Sequence, residues 1–271
     1  MEIQKDDLEG ITISSNNRAK GTARDIPDPL KRLVRQRCGY GCVICGLPLY
    51  EYEHMEGWAI VKRHLPEEIT LLCDQHHKEK TNHWLPIEKV KYFNEHPINM
   101  SKKHTKPWEF HYYGFNAEVS MGSNTFKMDN LLEFTPVVLD GEPIIRITNE
   151  NGNILIFFKF MSPEGKTLLH IENNEVIFST ENWDVEIIGK RLKIRKGLRK
   201  IILDITFSPP NKIDINHANI TMRDSEFIIS NIGMEYKGVR VGFRGCSWTN
   251  FPIGVAMGIN LPEQAGCRLG F

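Results

Sequence analysis

GCVICG (residues 41–46), EYEHM (51–55) and LLCDQHHKEKTNH (71–83) lie within a single segment of the chain, Tyr40–His83. This segment contains three cysteines and five histidines, together with several carboxylates. Thiolate, imidazole and carboxylate groups are the side chains that bind metal ions in proteins. The segment therefore predicts a small module whose fold is organised by metal binding.

Two pairs of ligands in this segment predict a structural zinc site. Cys42-x2-Cys45 and Cys73-x2-His76 each span a short turn, and 27 residues separate the pairs. Four such ligands close a tetrahedral Zn²⁺ site with no position for water, and in a small module the metal supplies much of the folding free energy. The alternative is a set of ordinary buried cysteines. Cys38 is either a substitute ligand or a small buried side chain.

A second metal site is predicted from the residues that the zinc site leaves over. Glu53 and His54 end a predicted strand, and His77 directly follows the zinc ligand His76 in a predicted helix. Consecutive helical residues point about 100° apart, so the helix can hold zinc on one side and a second ion on the other. A carboxylate and a histidine suit a divalent cation that keeps open positions for water and phosphate. A neighbouring neutral histidine can accept a proton from an attacking water.

These residues together resemble the zinc-containing branch of the HNH (ββα-metal) endonucleases over residues 27–96, and the C-terminal half has no recognised counterpart. The residues that carry the resemblance are Cys42-x2-Cys45, Glu53-His54, Leu71-Leu72-Cys73-x2-His76-His77 and Lys80. The resemblance implies that His54 is the general base and that Glu53 stands where the family has a metal-binding Asp. It implies that His77 is the final metal ligand, and it puts Lys80 near DNA phosphate. The catalytic metal would be Mg²⁺ or Mn²⁺, although other divalent metals are open.

Two positions depart from the family pattern. Glu68 stands where the family has an Asn that steadies the loop of the base, and an ionised Glu accepts hydrogen bonds without donating them. Thr81 stands where some members have a further histidine, so that water or His83 would complete the coordination. We count Glu68 among the catalytic candidates, with a lapsed site as the alternative that it raises.

Two basic segments are candidate nucleic-acid surfaces. The predicted helix Pro29–Arg37 carries Arg35 and Arg37 just before the metal segment, and Gly189–Lys200 (GKRLKIRKGLRK) carries seven Lys or Arg. In the second segment the candidate contacts are Lys193, Arg195 and Lys196. Both segments fit phosphate contact, and both also fit an ordinary solvated helix face or a charged edge strand.

The predicted fold class is α+β, with a zinc-stapled ββα-metal module followed by a mainly β domain. We predict a flexible arm at 1–24, the nuclease domain at 25–106 and a β-rich targeting or regulatory domain at 107–271. Within the module, Leu49–Met55 is predicted to pair with Trp58–Val61, and Ile69–Leu72 is a third apolar segment. After residue 107, short β-rich runs between turn signals indicate a sandwich, a barrel or a short β-solenoid.

Composition limits the location and the binding partners of the chain. At 271 residues, with 41% hydrophobic and 25% charged residues, it is typical of a soluble globular protein. No apolar run is long enough to cross a membrane, and MEIQKDDLEG lacks the apolar core of a secretory signal, so we expect a cytoplasmic protein. The net charge of zero requires any DNA contact to be local.

The expected function is hydrolysis of DNA phosphodiester bonds by an endonuclease with one divalent metal, in a bacterial defence or mobile-element system. The β domain would bind a partner protein or sense a trigger, and double-strand cleavage by a one-metal site would favour a homodimer. The alternative is a catalytically lapsed zinc module that acts as a nucleic-acid- or protein-binding adaptor.

Overall fold

The computed structural model describes residues 25–222, 225–237 and 241–270. The predicted flexible arm at 1–24 lies outside these residues. The fold is mixed α+β and mostly β, with 47% strand and 17% helix, so the predicted fold class is confirmed at this level. None of the helices in the described ranges is long and apolar enough to cross a membrane.

The region before residue 106 contains the helices and one small sheet. Its elements are α1 (Asp28–Cys38), β1 (Glu51–His54), α2 (Trp58–Val61), a 3-10 turn (Pro66–Glu68), β2 (Ile69–Leu72), α3 (Asp74–Thr81), α4 (Ile87–Glu95) and α5 (Ile98–Lys102). Leu30, Val34 and Cys38 recur every four residues and form the buried face of α1. The helix ends at Gly39, whose φ of 67° is the left-handed conformation that glycine adopts without steric cost.

The strand that pairs with β1 is β2, so the predicted pairing with Trp58–Val61 is wrong. The antiparallel register aligns Glu51 with Leu72 and His54 with Ile69. All four residues of β2 are buried, whereas Trp58–Val61 forms α2 at the surface. Pairing β1 with the buried apolar strand therefore removes more apolar surface from water than pairing it with the nearer segment.

The chain after residue 106 forms two sheets of nine and ten strands. The strands are β3 (Trp108–Glu109), β4 (Ala117–Met121), β5 (Asn124–Met128), β6 (Glu133–Leu139), β7 (Glu142–Pro143), β8 (Ile145–Glu150), β9 (Asn153–Met161), β10 (Thr167–Glu172), β11 (Glu175–Phe178), β12 (Asp184–Ile188), β13 (Arg191–Arg195), β14 (Ile201–Ser208), β15 (Lys212–Met222), β16 (Ser225–Ser230), β17 (Gly233–Tyr236), β18 (Val241–Phe243), β19 (Ser247–Thr249), β20 (Ile253–Gly258) and β21 (Ala265–Gly270). The first sheet has the order β21-β20-β6-β8-β9-β10-β11-β3, with β7 beside β6. The second runs from β12 to β18 in chain order and also includes β4, β5 and β19.

Both sheets contribute to one hydrophobic core. Ile156 of β9 and Leu169 of β10 belong to the same buried cluster as Leu203 of β14 and Ile215 of β15. Two sheets over one core agree best with a sandwich among the three predicted forms. The solenoid interpretation fails around β15 and β16, because these strands form an antiparallel hairpin and not parallel rungs.

A buried ion-pair network joins α1 to the β-rich region. Arg35 is 4% exposed, and its Nε and Nη2 each donate a hydrogen bond of 2.8 Å to the carboxylate of Asp184 in β12. Arg195 of β13 donates to the same carboxylate at 2.9 Å and to Glu186 at 2.8 Å. The buried Arg35 and the partly buried Arg195 thus share the carboxylate of Asp184 at the centre of this joint, and Glu186 lies at its margin.

The joint extends into β1 and into the β-sheet core. Arg35 Nη1 donates 2.9 Å to the hydroxyl of Tyr52, the neighbour of Glu53 in β1. Tyr40 packs in the large core that both sheets share, and its hydroxyl donates to the carbonyl of Asn182. The segment Tyr40–His83 is thus connected to the β12 region at two separate places, through the contact of Tyr52 with Arg35 and through Tyr40.

Replacing Asp184 with alanine is expected to destabilise the whole chain. Asp184→Ala leaves the buried guanidinium of Arg35 without its main partner, and breaking a buried pair costs about 3–5 kcal/mol. Urea unfolding followed by circular dichroism measures this loss. Glu226→Ala, which removes the half-exposed pair with Lys237, is the control and should cost less than about 1 kcal/mol. Equal losses in the two variants would contradict a stabilising joint.

Candidate metal centre and active site

Four predicted ligands form a compact cluster at the start of α3. Cys42 and Cys45 lie in the turn before β1, Cys73 immediately precedes α3, and His76 lies in its first turn. Their ligand atoms all lie within 4.8 Å of one another. His76 Nδ1 is 3.3 Å from Cys42 Sγ and 3.2 Å from Cys73 Sγ, and the sulfurs of Cys45 and Cys73 are 3.7 Å apart.

These distances fit a tetrahedral metal ion. Two sulfurs bound to zinc at 2.3 Å and at the tetrahedral angle lie about 3.8 Å apart, close to the distance between Cys45 and Cys73. The hydrogen bond from Cys42 lowers the pKa of Cys45, which favours the thiolate, the form that binds metal. The cluster could therefore bind a metal such as zinc.

Backbone geometry shapes the turn that carries the first two ligands. The N–H of Gly46 donates 2.8 Å to the carbonyl of Cys42, and Gly46 has a φ of 82°. A side chain at position 46 would also collide with the amide of Asn99. Cys38 is fully buried and lies outside the cluster, with its Sγ 3.9 Å from Asn94 Oδ1, which agrees with a small buried side chain.

Glu53, His77 and Lys80 meet on the other side of α3. Glu53 Oε2 is 3.1 Å from His77 Nε2, and the ammonium of Lys80 contacts the second carboxylate oxygen. Lys80 also donates 3.1 Å to the carbonyl of His54. Two ligands about 2.1 Å from one ion and at right angles lie about 3 Å apart, so Glu53 and His77 fit adjacent positions of a hard divalent cation.

His54 lies at the end of β1 in contact with two residues that the sequence did not single out. Its Nε2 is 3.2 Å from His64 Nδ1, and the ring of Trp58 stacks on that of His64 at 4.7 Å. Desolvation by burial lowers the pKa of His54, and the nearby ring of His64 acts in the same direction. The imidazole is therefore neutral at neutral pH, which is the form that accepts a proton. Only the position of His64 in the loop between β1 and β2 hinted at this contact.

Glu68 stabilises the loop that follows the candidate base His54, and it does so through an ion pair. Its carboxylate accepts hydrogen bonds from Nε and Nη2 of Arg63, and this pairing lowers the pKa of Glu68. Its carbonyl also accepts a 2.9 Å hydrogen bond from the N–H of Met55. The backbone hydrogen bond thus closes the loop from 55 to 68 at its base, and the ion pair joins Arg63, within the loop, to Glu68 at its end.

Several residues predicted to contact nucleic acid instead bind other groups of the protein. Arg35 and Arg195 belong to the ion-pair joint, where a carboxylate that is far away in the sequence from Arg35 and on the strand next to Arg195 engages both guanidinium groups. Arg37 donates to the carbonyl of Ile69. The side chain of Lys80 is 13% exposed, inside the Glu53 site and not on an open surface.

Lys193 and Lys196 remain as surface cations, half-buried and exposed respectively. They lie in and after β13, which pairs with β12 on one side and β14 on the other. The interpretation of this basic segment as an edge strand is therefore wrong, since β12 is the outer strand.

Comparison of the chain with protein-family models, with curated proteins and with solved structures gave no match.

Removing one cysteine of the cluster is expected to abolish metal binding. Cys45→Ala leaves three ligands, and we expect the zinc content to fall from about one ion per chain to near zero, with loss of helical signal from the N-terminal region. Elemental analysis and circular dichroism measure the two effects. Cys246→Ala, which removes a cysteine outside the cluster, is the matched control. One full equivalent of zinc in Cys45→Ala would rule out the assignment.

Proposed function

We propose that this protein is a metal-dependent DNA endonuclease of the HNH (ββα-metal) type, with structural zinc in the cysteine–histidine cluster. The observation that carries the proposal is the meeting of Glu53 and His77 at 3.1 Å next to the buried His54, whose pKa is lowered by burial. A carboxylate, an imidazole ligand and a proton acceptor are the groups required for metal-assisted hydrolysis of a phosphodiester.

The local architecture supports the same interpretation. The hairpin of β1 and β2 is followed directly by α3, which is the element order that gives the ββα-metal class its name. The cysteine–histidine cluster lies at the start of α3, and His77 lies one residue beyond the cluster ligand His76. One helix thus carries residues of both candidate sites, as expected from the 100° between successive side chains.

Each residue has a distinct task in the proposed reaction. Glu53 and His77 hold the divalent ion, which would be Mg²⁺ or Mn²⁺ and would stabilise negative charge at the scissile phosphate. His54 Nε2 accepts the proton of the attacking water. Lys80 fixes both Glu53 and the carbonyl of His54, so it sets the spacing between the ligand and the base. Arg63 and Glu68 hold the loop beside the base, the task that the family assigns to an Asn.

DNA is the proposed substrate, and the β-rich region is proposed to position it or to bind a partner protein or trigger. Lys193 and Lys196 are the surface cations that support a phosphate contact there. Two copies of the chain, each cutting one strand, would give double-strand cleavage, so we propose a homodimer for that activity.

The second candidate function, a zinc adaptor without catalysis, is favoured by one observation. The ammonium of Lys80 contacts the carboxylate of Glu53 in a half-buried pair, and it supplies there the positive charge that a divalent ion would otherwise supply. In the adaptor, this ion pair would be a permanent structural element and the surface would bind nucleic acid or protein without cutting.

Substituting the candidate base or ligand is expected to abolish cleavage while leaving the fold intact. In a plasmid-nicking assay with Mg²⁺ or Mn²⁺, His54→Ala and His77→Ala should each lower the cleavage rate about 10²–10⁴-fold, the usual contribution of a general base or comparable group. His170→Ala, which removes a histidine on β10 far along the chain, is the matched control and should cleave at the wild-type rate.

Cleavage at the wild-type rate by both His54→Ala and His77→Ala would contradict the site assignment. Absence of cleavage by the wild-type protein with either metal, together with retained DNA binding in a mobility-shift assay, would support the adaptor. Bound zinc in all variants, measured in parallel, shows that a lost activity does not result from loss of the metal cluster.

A further inference from the structure

A cavity of about 350 Å³ opens between the two sheets, away from both candidate metal sites. It lies where β3, the last strand of the first sheet, faces the turn between β12 and β13 of the second. Its apolar lining comes from Trp108, Phe110, Ile187, Leu192, Phe207 and Pro209. The volume and the largely apolar lining are those of small-molecule sites in proteins.

Three aromatic rings form a continuous wall of this cavity. The rings of Phe110 and Phe207 are 4.2 Å apart, and that of Trp108 meets Phe110 edge to face at 4.7 Å. Phe110 and Phe207 are buried, whereas Trp108 is only partly buried and borders the opening. A wall of this kind favours a flat aromatic ligand, because stacked and edge-to-face ring contacts contribute beyond the burial of area.

The rim of the cavity carries charged side chains, of which Lys190 is the cation available to a ligand. Arg191 is neutralised by Asp204, which accepts hydrogen bonds of 2.7 and 2.6 Å from it. Lys190 lines the cavity, and Lys193 lines a smaller adjoining pocket that shares Arg191. Among the described residues no ion pair engages Lys190 or Lys193. Glu109 is the carboxylate on the opposite side of the cavity, and Glu186 lines the adjoining pocket beside Lys193, so both signs of charge are present at the rim.

We propose that this cavity binds a flat aromatic ligand that carries an anionic group. The ring lies against Trp108 and Phe110, and the anion is bound by Lys190. The site goes beyond the proposed nuclease activity and does not depend on it, because none of its residues belongs to either candidate metal site.

The dye 8-anilinonaphthalene-1-sulfonate has this chemistry, and N-phenyl-1-naphthylamine is its counterpart without the sulfonate. In fluorescence titrations of the full chain we expect the sulfonate to saturate at one site per chain. Lys190→Ala should weaken its binding roughly tenfold, the effect of losing one charge-assisted contact, and should leave binding of the uncharged dye unchanged.

Two further variants separate this site from general dye adsorption. Lys159→Ala removes an exposed lysine on β9 and should leave both affinities unchanged. Ile187→Trp fills the cavity and should abolish the binding of both dyes, with circular dichroism confirming the fold. The proposal is overturned if the sulfonate binds at several equivalent sites, if it fails to bind at all, or if Lys190→Ala affects the two dyes equally.

Discussion

The pairing of Arg35 with Asp184 is the contact on which the arrangement of the molecule depends. It is buried, it uses both oxygens of one carboxylate, and it connects α1 to β12 across 149 residues of sequence. Through Tyr52 the same guanidinium contacts β1, the strand that ends in Glu53 and His54. The region before residue 106 is therefore joined to the β-rich region by more than a linker, because Arg35 of α1 contacts both Asp184 of β12 and Tyr52 of β1.

The two candidate sites depend on a second constraint: His76 and His77 are consecutive residues of α3, so the position of one fixes the position of the other. Cys73 and His76 hold the start of this helix against the turn of Cys42, and this contact directs His77 toward β1. Loss of the cluster would release the helix start, and the contact between Glu53 and His77 would be lost with it. The position of α3, which the cluster holds, therefore also sets the contact between Glu53 and His77, although the two groups of ligands face different sides of the helix.

What the sequence could predict is what depends on neighbouring residues. The spacing of Cys42, Cys45, Cys73 and His76 was sufficient to identify the cluster, since each pair lies within one turn. The helix predicted to carry His76 and His77 is also confirmed, as α3 at Asp74–Thr81. The partner of β1 was predicted incorrectly, because pairing of strands is decided by burial over the whole region and not by proximity in sequence.

The role of the basic residues was the hardest property to interpret from sequence, because residue type alone does not show whether a basic side chain is solvated or buried in an ion pair. Arg35 and Arg195 belong to segments that look like phosphate-binding surfaces, yet Asp184 and Glu186 on β12 neutralise them. Lys190 of the same segment has no ion-pair partner among the described residues, and it lines the cavity between the sheets. The two kinds of cation in this region thus differ: Arg195 is bound in the joint and Arg191 is bound by Asp204, whereas Lys190 borders the cavity. Because Arg binds a carboxylate through two parallel hydrogen bonds and Lys binds as a point charge, this division follows the chemistry of the two side chains.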